Sequence, residues 1–421
     1  GTYLAFVYYE LRASGDLIQP ILGLPGRVHI VDRPTVGTAL VLAMVVAALL
    51  GAACYALIFR PLRTSPPLAR VVASLGLMTY LIGVMNLRIS GLGVATLSIE
   101  SPLPSDLVEF GGIIAPADRY WMAAIVLAGT AGIWAISKFT NFGLATRATA
   151  ENEGGAVLLG ISPDRLGYLN WMLASMLAGL AMILAAPIIQ LDPPTSSLLI
   201  VPALGAALLG QFRSIWTTVL TGFGIGMLQL ELQNAKADWD WLPDVGLQQG
   251  VPFALVLVAL LWRSDRLPGR DTFVTSGLPP APEPRFTIVA TLTIVVAGVV
   301  GLLVLDSDWR LGITVSAIVA IISLSVIVLT GLVGQISLAT YALAGTAGFG
   351  MVRATDELGI GFPLAPLIGV IVAVAIGTIA GLPAIRVRGL TLAVASLAAA
   401  VAVEELVFKW SWFAGGLGGS R

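Results

Sequence analysis

YWMAAIVLAGTAGIWAISKFTNFGLATRATAENEGGAVLLGISPDRLGYLNWMLASMLAGLAMILAAPII, residues 120–189, sets two long apolar runs, Tyr120–Ser137 and Leu166–Ile189, around a polar, helix-prone island, Lys138–Asp164. Each run approaches the ~20 residues that carry an α-helix across the hydrocarbon core of a bilayer. A polar segment of this kind between two spans is expected to dock on a partner.

Working outward, runs of similar length lie at Val36–Phe59, Leu68–Leu87, Phe286–Leu305, Leu311–Leu329, Leu364–Leu382 and Leu390–Phe408. Shorter or Gly-broken runs lie at Gly1–Tyr9, Leu198–Gly210, Ile215–Leu232, Val251–Trp262 and Gln335–Val352. The runs are continuously apolar, whereas a transmembrane barrel reads as short alternating segments, so strands are not expected to span. Composition agrees: 57% of residues are hydrophobic and 11% charged, against roughly 25% charged in a soluble domain. The expected fold is an all-α polytopic protein of the inner (plasma) membrane, with roughly 12 or more transmembrane or re-entrant helices.

The chain begins with Gly1 inside an apolar stretch and closes on WFAGGLGGSR, so it is expected to open within a helix and to stop in a Gly-rich turn. A single cysteine, Cys54, excludes a disulfide framework within this sequence. A net charge of -1 offers no electrostatic case for nucleic acid.

The distribution of charge sets an orientation, because Lys and Arg near short loops concentrate on the cytoplasmic side. With the island inside and the spans alternating, the inner segments carry 13 basic residues against six acidic ones, and the outer segments nine against 18, with Arg421 unassigned. The alternation requires Leu198–Gly210 and Ile215–Leu232 to cross separately with Arg213 inside, and Gln335–Val352 to return the chain outward.

The sequence also repeats at an offset of about 325 residues. GAACYALIFRPLR (Gly51–Arg63) and GTIAGLPAIRVR (Gly377–Arg388) both run from a glycine within a span to a basic pair, and VVASL (Val71–Leu75) and AVASL (Ala393–Leu397) follow. Repeats in the same membrane sense point to a pseudo-twofold axis along the membrane normal. Between them RSDRLPGRDTFVTSGLPPAPEPR (Arg263–Arg285) reads as a cytoplasmic linker. The expected domains are a first permease-like unit at 1–262, the linker at 263–285 and a second, homologous unit at 286–421.

These residues carry a family resemblance. RPLRTSPPLARVVASLG, FTNFGLATRATAENEGGAVLLGIS and ALGAALLGQFRSIWTTVLTGFGIG resemble the first of the two permease subunits of branched-chain amino acid (Liv-type) ABC importers. LTGLVGQISLATYALAGTAGFG, GLPAIRVRGLTLAVASLA and AGGLGG resemble the second. The resemblance implies a fused permease that works in the bilayer with two cytoplasmic ATPase subunits, which would bind ATP-Mg, and with an extracytoplasmic solute-binding protein. It also implies that the island is the ATPase-coupling loop, in which an acidic residue, a small residue and a glycine recur; Glu153, Ala156 and Gly160 fit.

Read from its residues alone, the island begins with Thr140 or Asn141 as a cap, is helix-compatible from Ala145 to Leu159, and stops at Gly160 before Ser162-Pro163 starts the next helix. Arg147, Glu151 and Glu153 are expected toward water, with Val157 and Leu158 available for packing. Gly154 and Gly155 each weaken the helix by about 1 kcal/mol relative to alanine.

Catalytic chemistry is not expected. The three lysines follow no phosphate-loop glycine pattern, so this polypeptide supplies no ATP hydrolysis of its own. His29 and Cys54 form no metal cluster or nucleophilic triad, and both read as incidental. Gly-rich segments are the candidates for a transport path. In GLVGQISLATYALAG (Gly331–Gly345), Gln335 and Ser337 can offer polar groups to a zwitterionic solute, while Gly331, Gly334 and Gly345 serve equally well for close helix packing. Gly205–Gly226 carries the same ambiguity. Glu231, Glu404 and Glu405 lie near the outer ends of apolar runs, where a wetted interface is the favoured position. A secondary transporter would need central ionisable groups, which are scarce, and a membrane enzyme a convergent acid, base or metal set. Within the ABC class, permeases for urea or short amides read similarly.

Overall fold

The computed structural model describes residues 1–421 except 22, 24, 33, 66, 91–99, 111–112, 190, 194–195, 197–198, 213, 236–249, 251, 256–286, 333–334, 336, 383–389 and 409–421. The described residues are overwhelmingly helical. Among the described residues, seven helices are long and apolar enough to cross a membrane, and a shorter apolar helix occupies Ile288–Val304. The only strands among them form two short antiparallel hairpins, β1 (Asp16–Ile18) with β2 (Arg27–His29) and β3 (Leu107–Phe110) with β4 (Ile113–Pro116). Both lie between helices and neither spans.

Contacts divide the chain into two compact units, Gly1–Ile200 and Val201–Arg421. This is a grouping of contacts, and the sequence-level division at 262 and 286 remains a proposal; the expected linker, 263–285, lies outside the described residues.

The first unit is built on α1 (Thr2–Ser14), α2 (Val36–Cys54), α3 (Pro67–Ser90), α4 (Ala117–Phe139), α5 (Asn141–Glu151), α6 (Glu153–Leu158) and α7 (Pro163–Ile189). Helix α1 is its core: Tyr3 through Tyr8 and Leu11 are all buried and pack with Ile18, Met85, Ile183 and Leu191. Its phenols find backbone acceptors, Tyr3 donating to the Ile18 carbonyl at 2.6 Å and Tyr9 to that of Ile183 at 2.9 Å. Helix α2 presents a ridge of small residues, Ala39, Ala43, Ala47 and Gly51, all buried. Their spacing of four keeps them on one face, and small residues on such a ridge let backbones approach closely where lipid removes the usual hydrophobic drive between helices. A β-carbon on Gly51 would stand 2.5 Å from the carbonyl oxygen of Trp171, which shows how tightly α2 meets α7.

The second unit contains α8 (Ile200–Leu209, which opens at the boundary), α9 (Ile215–Ala235), α10 (Thr287–Val304), α11 (Ser307–Ile327), α12 (Thr340–Leu358), α13 (Leu364–Gly381) and α14 (Leu390–Val403). Its core joins Leu208 and Phe253 to Leu392, Ala395, Ala398, Val401 and Ala402 of α14. Helices α10 and α11 turn large apolar side chains outward, such as Ile288, Leu303 and Ile321, the face that hydrocarbon accepts and water does not.

Two expectations are corrected. With ten residues, α8 is about 15 Å long, half of the ~30 Å core, so the separate crossing assigned to Leu198–Gly210 is not made by this helix alone. Glu231 and Glu404 are exposed, but Glu405 is fully buried. It sits in a π-helical turn, Glu404–Phe408, that ends α14. The widened turn changes the angular step between residues, carrying Glu405 toward the core that Leu406 also joins.

Candidate functional site: the α5–α6 segment

The island folds as two short helices whose limits are set by local capping. Thr140 has extended backbone and accepts a hydrogen bond from the Gly143 amide at 3.2 Å, so it ends α4 and caps α5. The continuous helix expected over Ala145–Leu159 is instead broken at Asn152, whose backbone is extended (φ -149°, ψ 98°). Its side-chain carbonyl accepts from the Gly155 amide at 2.9 Å and so caps α6. Two glycines weaken the helix just beyond a residue that caps well, and the cap wins. Gly160 ends α6 with φ +80°. Its amide donates to the Val157 carbonyl at 2.9 Å and that of Ile161 to the Ala156 carbonyl at 3.0 Å, a left-handed stop that glycine adopts without steric cost. Pro163 then opens α7 with Asp164 in its first turn, the end where the helix dipole favours a carboxylate.

Arg147 and Glu151 are exposed, as expected, and Ala156 is buried. Glu153 is half-exposed but not simply solvated, because its carboxylate pairs with Arg63. The same guanidinium donates to Asp164 Oδ1 at 2.8 Å, and Arg60 takes the other oxygen, Oδ2, at 3.2 Å. Beneath this cluster Tyr55 meets Tyr168 edge-on at 4.8 Å, and Phe59 stacks on Trp171 at 4.2 Å. The sequence marks Arg60 and Arg63 as orientation charges and as the basic pair that closes the first copy of the repeat, and does not reveal the cluster. The available signal was a basic pair and an acidic residue on two different loops, each beside the end of an apolar run.

The tip of the segment is apolar and unpacked. Leu158 is 90% exposed and Leu159 79% exposed, with Val157 and Leu144 also exposed. Three large apolar side chains in a row at an exposed turn are unfavourable in water unless something covers them.

The residues proposed for a transport path lie in the second unit. Helix α11 runs into a π-helical turn, Val328–Leu332, that holds Gly331; α12 begins only at Thr340. The helix is therefore broken here, as expected. The half-buried Ser337 accepts from the Ala339 amide at 3.3 Å, the Gln335 amide donates to the Leu329 carbonyl at 3.0 Å, and the Leu338 amide donates to Ser396 Oγ of α14 at 2.9 Å. Gly345 faces the Phe408 ring, where a β-carbon would come within 2.9 Å, so close packing is the role its surroundings support. Gly334 lies outside the described residues. Ser396 carried no sequence signal, because its part depends on a contact 58 residues away.

His29 also has partners that the sequence did not reveal. Its Nδ1 lies 2.9 Å from Asp16 Oδ1 and its Nε2 2.9 Å from Asp32 Oδ1. Bonds to Asp16 first and Asp32 second raise the imidazole pKa above its ordinary value, and the imidazole lowers that of Asp16.

Comparison with known proteins gives a consistent family. Residues 1–260 match the family described as branched-chain amino acid transport system / permease component. The probable branched-chain amino acid transport permease protein LivH of Methanocaldococcus jannaschii is 28% identical over 193 residues, 40% of this chain and 61% of the relative. The high-affinity branched-chain amino acid transport system permease protein LivH of Escherichia coli K12 is 26% identical over 240 residues, 54% of this chain and 72% of the relative. The corresponding protein BraD of Pseudomonas aeruginosa is 24% identical over 276 residues, 64% of this chain and 82% of the relative. No solved structure gives a significant match. Seven helices among the described residues that are long and apolar enough to cross a membrane, and a family match over more than half its length, make this chain a multi-pass plasma-membrane transport component that belongs to the branched-chain amino acid transport permease family.

Proposed function

We propose that the chain is a fused permease, carrying both transmembrane units of an ATP-driven importer for branched-chain amino acids in one polypeptide. Two cytoplasmic ATPase subunits, holding ATP-Mg, dock on the α5–α6 segment, and an extracytoplasmic binding protein delivers the solute. The observation that carries this reading is the exposed Val157–Leu159 tip on a capped helical segment, in a chain whose first 260 residues match a permease family. Covering such a tip is favourable by about 1.5–3 kcal/mol per large apolar side chain fully buried. In the second unit, the broken helix around Gln335 and Ser337 gives the solute polar groups inside an otherwise apolar path, the setting in which irregular backbone is tolerated at membrane depth.

The test is reconstitution of the chain in liposomes with the ATPase subunits and the binding protein encoded beside it. ATP- and binding-protein-dependent uptake of leucine, uncompeted by urea, is the expected result. Leu158→Asp should lose the ATPase subunits without loss of the folded chain, because the side chain touches almost nothing within its own unit. Urea uptake with no response to leucine would move the substrate class, and leucine uptake without any ATPase would refute the coupling.

A further inference from the structure

We propose that Arg63 is a strut that passes displacement of the cytoplasmic α5–α6 segment to the α2–α7 pair of spans; this rests on the docking role given above to that segment. The guanidinium holds two carboxylates from different elements, Glu153 at the start of α6 and Asp164 in the first turn of α7, while Arg60 fixes the second oxygen of Asp164. A planar fork holds two carboxylates in fixed directions, whereas an ammonium on a flexible stem pairs with them without fixing their geometry.

The surroundings show why a strut is needed here. Helix α6 has only six residues and is bounded by two joints of non-helical backbone, Asn152 and Gly160. Joints of this kind absorb φ/ψ change and let a short helix swing. Besides buried Gly143, which lies against the end of α4, and buried Ala156, the anchors of α5 and α6 to the spans include a 3.4 Å contact from Asn170 Nδ2 to Thr146 Oγ1. On the membrane side the cluster stands on a stiff base. Tyr55 and Phe59 of the turn that ends α2 pack against Tyr168 and Trp171 of α7, and Gly51 brings the two backbones together one turn deeper. A push on α6 therefore reaches α2 and α7 through Arg63, and without Arg63 it is spent in the joints. Arg63 acts as a positioning residue and touches no solute.

The experiment has two arms, both on the full chain with Cys54→Ala. In the first, spin labels at exposed Leu57 and Leu158, introduced as Leu57→Cys and Leu158→Cys, report the distance between α2 and α6 in nanodiscs. A single narrow distribution is expected, broadened about two-fold by Arg63→Met and by Asp164→Asn, the response of a bistable joint released. In the second arm, without labels, the chain is reconstituted with its ATPase subunits and binding protein. Both variants should keep the ATPase subunits and hydrolyse ATP while leucine imported per ATP falls about five-fold or more, the lower end of inter-site coupling. Arg63→Lys, which keeps the stem and the charge, should lie between; it carries both arms should the other variants fail to insert. A distribution left unchanged overturns the strut, and so does a broadened distribution with unchanged import per ATP. Failure of the wild-type chain to bind any ATPase would refute the docking role itself, and the distance arm, which needs no partner, separates that failure from failure of the strut.

Discussion

Gly51→Ala adds one carbon at the seam on which the α2–α7 pair depends. The new β-carbon would stand 2.5 Å from the Trp171 carbonyl oxygen, 2.5 Å from Ser175 Oγ and 2.9 Å from Ser175 Cβ, where ordinary contact begins at 3.4 Å. The Ser175 hydroxyl can rotate away, although its β-carbon stays where the backbone of α7 holds it. The Trp171 carbonyl cannot, because it belongs to the backbone of α7, so the helices must part by nearly an ångström at this level. Overpacking of this kind costs about 1–3 kcal/mol, and an obstacle made of backbone places the cost in the upper half of that range. At ~1.4 kcal/mol per tenfold change, the unfolded fraction then rises by more than an order of magnitude. The assay is thermal unfolding in nanodiscs followed by tryptophan fluorescence, since the Phe59–Trp171 stack beside the seam responds to the separation. Gly132→Ala on α4, where no atom lies within 4 Å of the added carbon, is the control and should be neutral or stabilising. Adding Ser175→Gly to Gly51→Ala should recover part of the loss and leave the part due to Trp171. Unfolding of Gly51→Ala at or above the wild-type temperature would refute the close approach of α2 and α7.

Glu153→Arg places a second cation against Arg63; the pair is half-exposed and worth about 0–1 kcal/mol, so the chain should insert and melt nearly as wild type while ATPase assembly or leucine uptake is lost. Normal uptake in this variant would count against docking at α6. The β1–β2 hairpin should be clamped by His29 in a defined pH window. Asp16, with its pKa lowered from 3.8, contributes above that ordinary value and is lost as pH falls through the lowered one. His29, with its pKa raised from 6.5, contributes fully below that ordinary value and is lost as pH rises through the raised one. Protection of the Leu17 and Val28 amides, with the intrinsic exchange rate at each pH divided out, should therefore be greatest between about pH 4 and 6.5, and His29→Gln should flatten the upper limb; a wild-type protection profile with no upper limb would dismiss the clamp. Orientation is checked by labelling intact cells with an impermeant thiol reagent on the Cys54→Ala background. Asp32→Cys should react and Leu158→Cys should be protected, and the reverse pattern would invert the topology.

The sequence by itself determined what depends on near neighbours. Apolar length placed α2, α4, α7, α11 and α13, because the bilayer asks only that a helix be long enough and apolar. Thr140 or Asn141, Gly160 and Pro163 marked the limits of the island, because caps and left-handed stops act within one turn of chain. The break at Asn152 was also local, but it turned on a competition between helix continuation and a new cap, and the small energies on each side left it open. Tertiary structure decided the rest. Arg63 meets Glu153 and Asp164 only after α2 and α7 close along the Ala39–Gly51 ridge, and the pairing of Leu338 with Ser396 needs α14 in place. Burial of Glu405 follows from one widened helical turn and a core gathered from Leu208, Phe253 and α14. Charge and hydropathy along a chain say which groups prefer water; they do not say which group, a hundred residues away, will stand within hydrogen-bonding distance once the helices have packed.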